Sequence, residues 1–186
     1  MSVQLAIHGK TFSAETKPLM EKMWTDICAK NCQPILSDFF KNHLLEHGFS
    51  VADVPSYSAE KGLEKVDMAW SIGGDGTLLE TLTQIGPKEI PILGINTGRL
   101  GFLATLSPPE ISTALDTVLQ GNYRIENRSL VSVESEIDFF DGKGFGLNEV
   151  GIMKTDTSSM ITIKAFVDGE WLVEFDKNLE RYRNLK

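Results

Sequence analysis

The stretch Asp67-Met68-Ala69-Trp70-Ser71-Ile72-Gly73-Gly74-Asp75-Gly76-Thr77-Leu78-Leu79-Glu80 limits what this chain can fold into more than any other. Trp70 and Ile72 favour a strand, and Gly73, Gly74 and Gly76 end it abruptly. From Thr77 onward Leu78, Leu79, Leu82 and Ile85 recur at helical spacing. The pattern predicts a short buried strand, a glycine turn and a helix. Glycine lets backbone come close to a ligand, and the free N–H groups of a helix start favour an anion. One carboxylate, Asp75, sits inside this turn. Two readings stand side by side for it. Asp75 caps the helix, or it takes a proton from an attacking hydroxyl or holds a metal beside a phosphate.

The chain before and after this unit repeats its logic. Val3, Leu5 and Ile7 alternate in a first strand ending at Gly9-Lys10. Leu19, Met20, Met23, Trp24, Ile27 and Cys28 share one helix face, read as core packing. Pro34-Ile35-Leu36 is a second strand, and Ser37 caps a helix running to His47 with Gly48 as its stop. Phe49 to Glu60 has no sustained period and reads as a loop. Ile90 to Ile95 is a further buried strand, followed by the turn Asn96-Thr97-Gly98-Arg99-Leu100-Gly101-Phe102. Alternating strands and helices predict a parallel α/β sheet covered on both faces, with ligands beyond the carboxyl ends of the strands. Phe102 either packs against a flat base or plugs the core.

Ser107-Pro108-Pro109-Glu110 carries helix-start chemistry, and Ile111, Leu115, Val118 and Leu119 form that helix's inner face. After Gly121 the pattern changes to strands: Tyr123 to Ile137, Phe145 to Met153 and Met160 to Val167. Asp138 to Gly146 reads as an exposed turn, and Asp168-Gly169 signals a hairpin into Trp171-Leu172-Val173. The expected organisation is an α/β nucleotide-binding domain over residues 1–105, a connecting helix over 107–121, and an incomplete antiparallel all-β domain over 122–175. Residues 176–186 read as a charged tail. Asn148 and Glu149 stand out as polar residues in an apolar strand, which faces solvent or a ligand there.

A net charge of −8, from 18 basic and 26 acidic residues, argues against a nucleic-acid or membrane-surface role, since no basic patch is available. Phosphate ligands stay open, because backbone amides bind them locally. No signal peptide or membrane span is legible, and Cys28 and Cys32 read as reduced thiols of a cytoplasmic protein. His43-Leu44-Leu45-Glu46-His47 matches the H-x-x-E-H zinc-protease pattern. Gly48 ends that helix at once and no third ligand is evident, so histidines complementing a helix end are the better reading.

Gly-Gly-Asp-Gly-Thr is shared by NAD kinases, phosphofructokinases and lipid kinases, and three further stretches narrow the resemblance. Ile90 to Ala104 is similar to the NAD kinase strand and its Gly-x-Leu-Gly-Phe-Leu loop, and Leu147-Asn148-Glu149-Val150 to the family's Asn-Glu motif. Ser158 to Ile161 with Asp168-Gly169-Glu170 resembles the hairpin that follows. The resemblance implies ATP-dependent phosphorylation of the 2′-hydroxyl of the adenosine ribose of NAD. It implies Asp75 as general base, and Gly74, Gly76, Thr77, Leu79, Phe102, Asn148 and Glu149 as nucleotide contacts. Mg²⁺ would neutralise the transferred group without a dedicated protein ligand, ATP or polyphosphate would be the donor, and the protein would be a dimer or tetramer. After Phe175 the family's Thr-Pro-Thr-Gly-Ser-Thr-Ala-Tyr loop is not matched. That leaves a second reading, a nucleotide-binding or interaction module without turnover.

Overall fold

The computed structural model describes residues 2–58, 63, 65–86, 88–98, 101–137, 140, 142, 144–152 and 161–177. The chain divides into two compact units, Met1–Glu126 and Asn127–Lys186.

The first unit is a five-stranded parallel sheet. Its strands are β1 (Val3–Gly9), β2 (Cys32–Ser37), β3 (Ser56–Tyr57), β4 (Met68–Gly73) and β5 (Ile92–Asn96), in the order β3-β2-β1-β4-β5. The helices are α1 (Lys17–Ala29), α2 (Asp38–Glu46), α3 (Asp75–Ile85) and α4 (Ile111–Leu119). The expected α/β class is what forms. The two-residue strand β3 lies inside the segment that reads as loop in sequence. It is too short to carry a period, and it forms because Ser56 and Tyr57 find Leu36 and Ser37 beside them.

Strands β1 and β4 are central and buried on both faces, which is why they read as nearly unbroken apolar runs. Their register sorts residues by size. Leu5 pairs with Met68 and Ile7 with Trp70, and Ile72 pairs with Ile95. These large side chains join Met20, Met23, Trp24 and Ile27 of α1, Phe40 and Leu44 of α2, and Ile111, Leu115 and Val118 of α4 in one core. Cys28, expected on the α1 inner face, is exposed. On the other face Ala6 pairs with Ala69, His8 with Ser71, and Ser71 with Gly94. These are short residues apart from His8, and α3 packs over them with Leu78, Thr81 and Ile85 buried.

Of the expected cap the Glu110 half forms: the Ser107 N–H and hydroxyl both donate to Glu110 Oε2, while the Glu110 N–H bonds the Ser107 carbonyl instead of the hydroxyl. The first turn there is a 3₁₀ helix over Pro108–Glu110, and α4 proper begins at Ile111.

The second unit holds two small antiparallel sheets. One pairs β6 (Leu130–Ser132) with β7 (Phe145–Leu147), and the other pairs β8 (Ile161–Val167) with β9 (Glu170–Lys177). The strands expected over Tyr123 to Ile137 and Phe145 to Met153 are thus three residues long each. The second stops at Leu147 because Asn148 adopts φ 65°, outside the strand region. Asp168 at φ 53° and Gly169 at φ 83° make the expected tight hairpin. Ser158 to Met160, most of the 138–143 turn and residues 178–186 lie outside the described residues. No helix among the described residues is long and apolar enough to cross a membrane.

Gly94 tests how closely α3 and the 101–105 segment press on the sheet. A Cβ there would lie 2.8 Å from Ala104 Cα and 2.8 Å from Leu78 Cδ1. Gly94→Ala should cost about 1 to 3 kcal/mol in urea unfolding, the usual penalty of overpacking. An unchanged midpoint would mean that this layer yields to an added methyl group without cost.

Candidate functional site

The sheet order makes the end of β1 and the end of β4 a topological switch point. From β1 the chain passes through α1 to β2 on one side, and from β4 through α3 to β5 on the other. Ligands in open parallel sheets settle in the crevice at such a point. The glycine turn lies there, with Gly73 ending β4, Gly74 at the N-cap and Asp75 opening α3. No side chain caps α3. The Thr77 N–H already bonds the Gly74 carbonyl at 3.0 Å, so the Asp75 and Gly76 N–H groups are the ones open at this end, where the helix dipole adds positive potential.

Asp75 does not cap its own helix. Its carboxylate reaches the loop after β5, where Oδ2 accepts the Phe102 N–H at 2.8 Å. Oδ1 accepts the Leu103 and Ala104 N–H groups, each at 3.0 Å. The amides of Ala104 and Phe102, helped by Leu103 and opposed by partial burial, hold this carboxyl below the ordinary aspartate range. Gly101 makes room for the clamp, since a Cβ there would fall 2.2 Å from Oδ1. The same loop is anchored at its start by Asn96, buried at the end of β5, whose Oδ1 accepts the Gly98 N–H at 2.9 Å. It returns to the sheet at Leu106, whose carbonyl accepts the Asn96 N–H at 2.7 Å.

The glycines of the site fall into two groups. Gly73 and Gly101 are needed by the protein itself: a Cβ at Gly73 would lie 2.2 Å from Thr77 Oγ1. Gly74, Gly76 and Gly98 have nothing within 4 Å of a built Cβ, so their lack of a side chain opens space beside the helix start. That is room a ligand can use.

The other residues singled out in sequence are placed as follows. Thr77 is buried against Gly73, and Leu79 is exposed on the next turn. Phe102 is 89% exposed, so it does not plug the core. Gly74, Asp75, Gly76, Thr77, Leu79 and Phe102 all belong to the first unit, with Asp75 bonding directly to Phe102. Asn148 and Glu149 belong to the second unit, where both are exposed just past β7. Arg99 and Leu100 lie outside the described residues. The Asp75 clamp has no signature in sequence, because its acceptor and donors are separated by more than two dozen residues. A glycine in the middle of a loop, Gly101, is its only trace.

Among the described residues no cluster of carboxylates forms a cage for Mg²⁺. Asp75 Oδ1 is taken by two amides, while Oδ2 accepts one and keeps room for a further donor. Among the described residues the group of metal-ligand type is His43, Glu46 and His47. It is nitrogen-rich and serves the fold: His43 Nε2 accepts the Phe12 N–H at 3.2 Å, and the rings of His43, His47 and Phe12 pack together. Burial and the neighbouring His47 push His43 below the usual histidine range, towards the neutral form this acceptor role needs.

Residues 8–123 match the family model described as the ATP-NAD kinase N-terminal domain. The NAD kinase of Cytophaga hutchinsonii is 36% identical over 168 residues, covering 90% of this chain and 58% of that protein. The NAD kinase of Bacteroides fragilis is 36% identical over 184 residues, covering 93% of this chain and 59% of that protein. The chain thus spans just under three fifths of these curated relatives. Among solved structures, yeast NADH kinase complexed with NADH superimposes with a TM-score of 0.68 at 16% identity. That superposition covers 95% of this chain and 56% of the yeast chain, and it shows a shared fold.

The clamp predicts a pH signature. A carboxyl with a depressed folded-state pKa stabilises the fold above its unfolded value of about 3.9, and that stability is lost as pH falls through the folded pKa. Asp75→Asn leaves one oxygen for three amides that two oxygens now share, and turns an NH₂ towards at least one of them. It should cost about 1 to 2 kcal/mol at neutral pH, discounted for the half-exposed site. In urea titrations the gap between wild type and Asp75→Asn should be constant above about pH 5 and close below about pH 4. A gap independent of pH would remove the charged clamp.

Proposed function

Because this chain belongs to the ATP-NAD kinase family, we propose that it is the nucleotide-binding part of an enzyme that phosphorylates the 2′-hydroxyl of the adenosine ribose of NAD. The observation that carries the proposal is the open glycine turn at the switch point, tied by Asp75 to the loop bearing Phe102. ATP, carrying its own Mg²⁺, would lay its phosphates against the uncapped amides of α3 in the space left by Gly74 and Gly76. The exposed ring of Phe102 offers a face for a base. Asn148 and Glu149 offer donors and acceptors for ribose hydroxyls.

Asp75 would act on the reacting hydroxyl. Three amides keep it ionised, as a proton acceptor must be, and also lower its basicity. That suits phosphoryl transfer, whose loose transition state needs the nucleophile oriented more than deprotonated early. The carboxylate would align the hydroxyl and accept its proton late, while its amide bonds hold the Phe102 loop in register.

The test is NADP formation from NAD and MgATP, followed beside calorimetric binding of each substrate. Asp75→Asn should lower turnover by about a hundred- to ten-thousand-fold with NAD affinity largely kept. Gly101→Ala, which crowds the clamp but retains the carboxylate, should lose less. Equal losses would reduce Asp75 to a loop anchor. Binding of NAD and ATP by wild type without any conversion would leave the nucleotide-binding module as the function of this chain.

Glu149 gives a separate check. Glu149→Gln should weaken NAD by about 1 to 3 kcal/mol, the cost of a charged hydrogen bond. It should not move the melting temperature, because the residue is exposed. Unchanged affinity would remove Glu149 from the site.

A further inference from the structure

We propose that Lys10 is the cation that receives the polyphosphate chain of the donor, and that Glu80 holds it ready at the mouth of the crevice. The inference rests on the reading of the glycine turn as a phosphate site and adds a charged group to it.

The register of β1 and β4 sets where Lys10 stands. His8 lies opposite Ser71 and Gly9 opposite Ile72. Lys10 is the first residue past β1, and on this register it stands level with Gly73, the first glycine of the turn. β1 and β4 are the two strands that flank the switch point. The lysine therefore leaves the sheet on one side of the crevice and the glycine turn on the other.

Its side chain is not left to wander. Lys10 Nζ bonds Glu80 Oε2 at 2.8 Å, and Glu80 stands four residues after Gly76, on the same face of α3. The ion pair thus draws the ammonium across the crevice towards the helix whose first turn is open. Both side chains are about half exposed, at 53% and 42%. Exposed pairs of this kind are weak, so the lysine can leave Glu80 for a stronger partner. A triphosphate is such a partner, with several negative charges and short charge-assisted bonds to offer.

A second observation comes from beneath the pair. His8 is 4% exposed, and neither ring nitrogen has a hydrogen-bond partner. Its Nε2 lies 3.6 Å from Glu80 Oε1, outside bonding distance. Buried polar atoms left without partners mark a place that something else completes. Here that place lies under the Lys10–Glu80 pair, at the end of β1.

The need for such a group follows from charge. The chain carries a net −8, and Asp75 and Glu80 both bring negative charge to the turn. Amide dipoles alone must then hold a highly charged polyphosphate against two carboxylates. An ammonium group at Lys10 offsets one of them and contacts the ligand directly.

Calorimetric titration of the whole chain with MgATP, inorganic tripolyphosphate and NAD tests this. The variants are Lys10→Met, Lys10→Arg and Lys17→Met, the last removing a surface charge on α1 that pairs with Glu21 of its own helix. Lys10→Met should weaken ATP and tripolyphosphate at least tenfold while leaving NAD within about twofold. Lys10→Arg should stay within about threefold, and Lys17→Met should match wild type. Tripolyphosphate binding as well as ATP would show that the phosphates alone are read, and ATP binding alone that the nucleoside is needed too; Lys10 sensitivity supports the proposal in both cases. Lys10→Met binding the polyphosphates like wild type would overturn it, and so would an equal loss in Lys17→Met. Wild type that binds NAD but neither polyphosphate would overturn this inference while leaving the NAD site standing. Wild type that binds none of the three would overturn both. A thermal melt of each variant separates lost contact from lost fold.

Discussion

Three backbone amides converging on one carboxylate decide how this site is built. The segment from Gly101 to Ala104 has no strand or helix of its own. Its amides would otherwise look to water, and a loop satisfied only by water has many conformations. Asp75 replaces that with three bonds to a side chain rooted in the first turn of α3. The turn after β4 and the loop after β5 thereby become one unit. The exposed ring of Phe102 is placed by a bond from its own N–H to that carboxylate. The same residue that could act on a hydroxyl thus fixes the distance between the two loops that would hold the substrates.

The clamp works only because α3 lies close to the sheet, and that closeness is a matter of residue size. Ala6, Ala69, Ser71 and Gly94 leave little between the strands and the helix. The opposite face carries Leu5, Ile7, Trp70, Ile72 and Ile95, and there α1, α2 and α4 stand off on bulky side chains. A central strand must serve both faces, so β1 and β4 alternate large and small residues over their buried stretch. On the thin face His8 is a buried, bulky polar residue at the crevice end of β1.

Electrostatics separates the whole molecule from its site. An acidic chain repels polyanions at long range, yet local dipoles and single cations decide binding at short range. The amides that surround Asp75 make its charge less available to repel a phosphate, since each bond spreads it over a donor. The start of α3, which no side chain caps, keeps the Asp75 and Gly76 amides for a ligand. Segregating the donors in this way, some for the carboxylate and some for a ligand, lets one turn carry an acid and accept an anion.

Much of this was legible in the residues themselves. The strand–glycine–helix unit, the alternation of a parallel α/β sheet, the Ser107–Glu110 cap and the Asp168-Gly169 hairpin all rest on local chemistry, and local chemistry is written in order along a chain. The second unit was less legible. The residues around Leu130 and Phe145 alternate well enough to suggest long strands, but their pairing ends after three residues and Asn148 turns out of the strand. The length of a strand depends on its partner, and propensity does not contain the partner. The Asp75 clamp and the Lys10–Glu80 pair were not legible at all, since they join residues 27 to 29 and about 70 positions apart. Sequence determined that a glycine turn with one acid would stand at the edge of a parallel sheet. Only the tertiary structure decided which way that acid turned, because the three amides that hold it come from another loop and meet it only once β4 and β5 lie side by side.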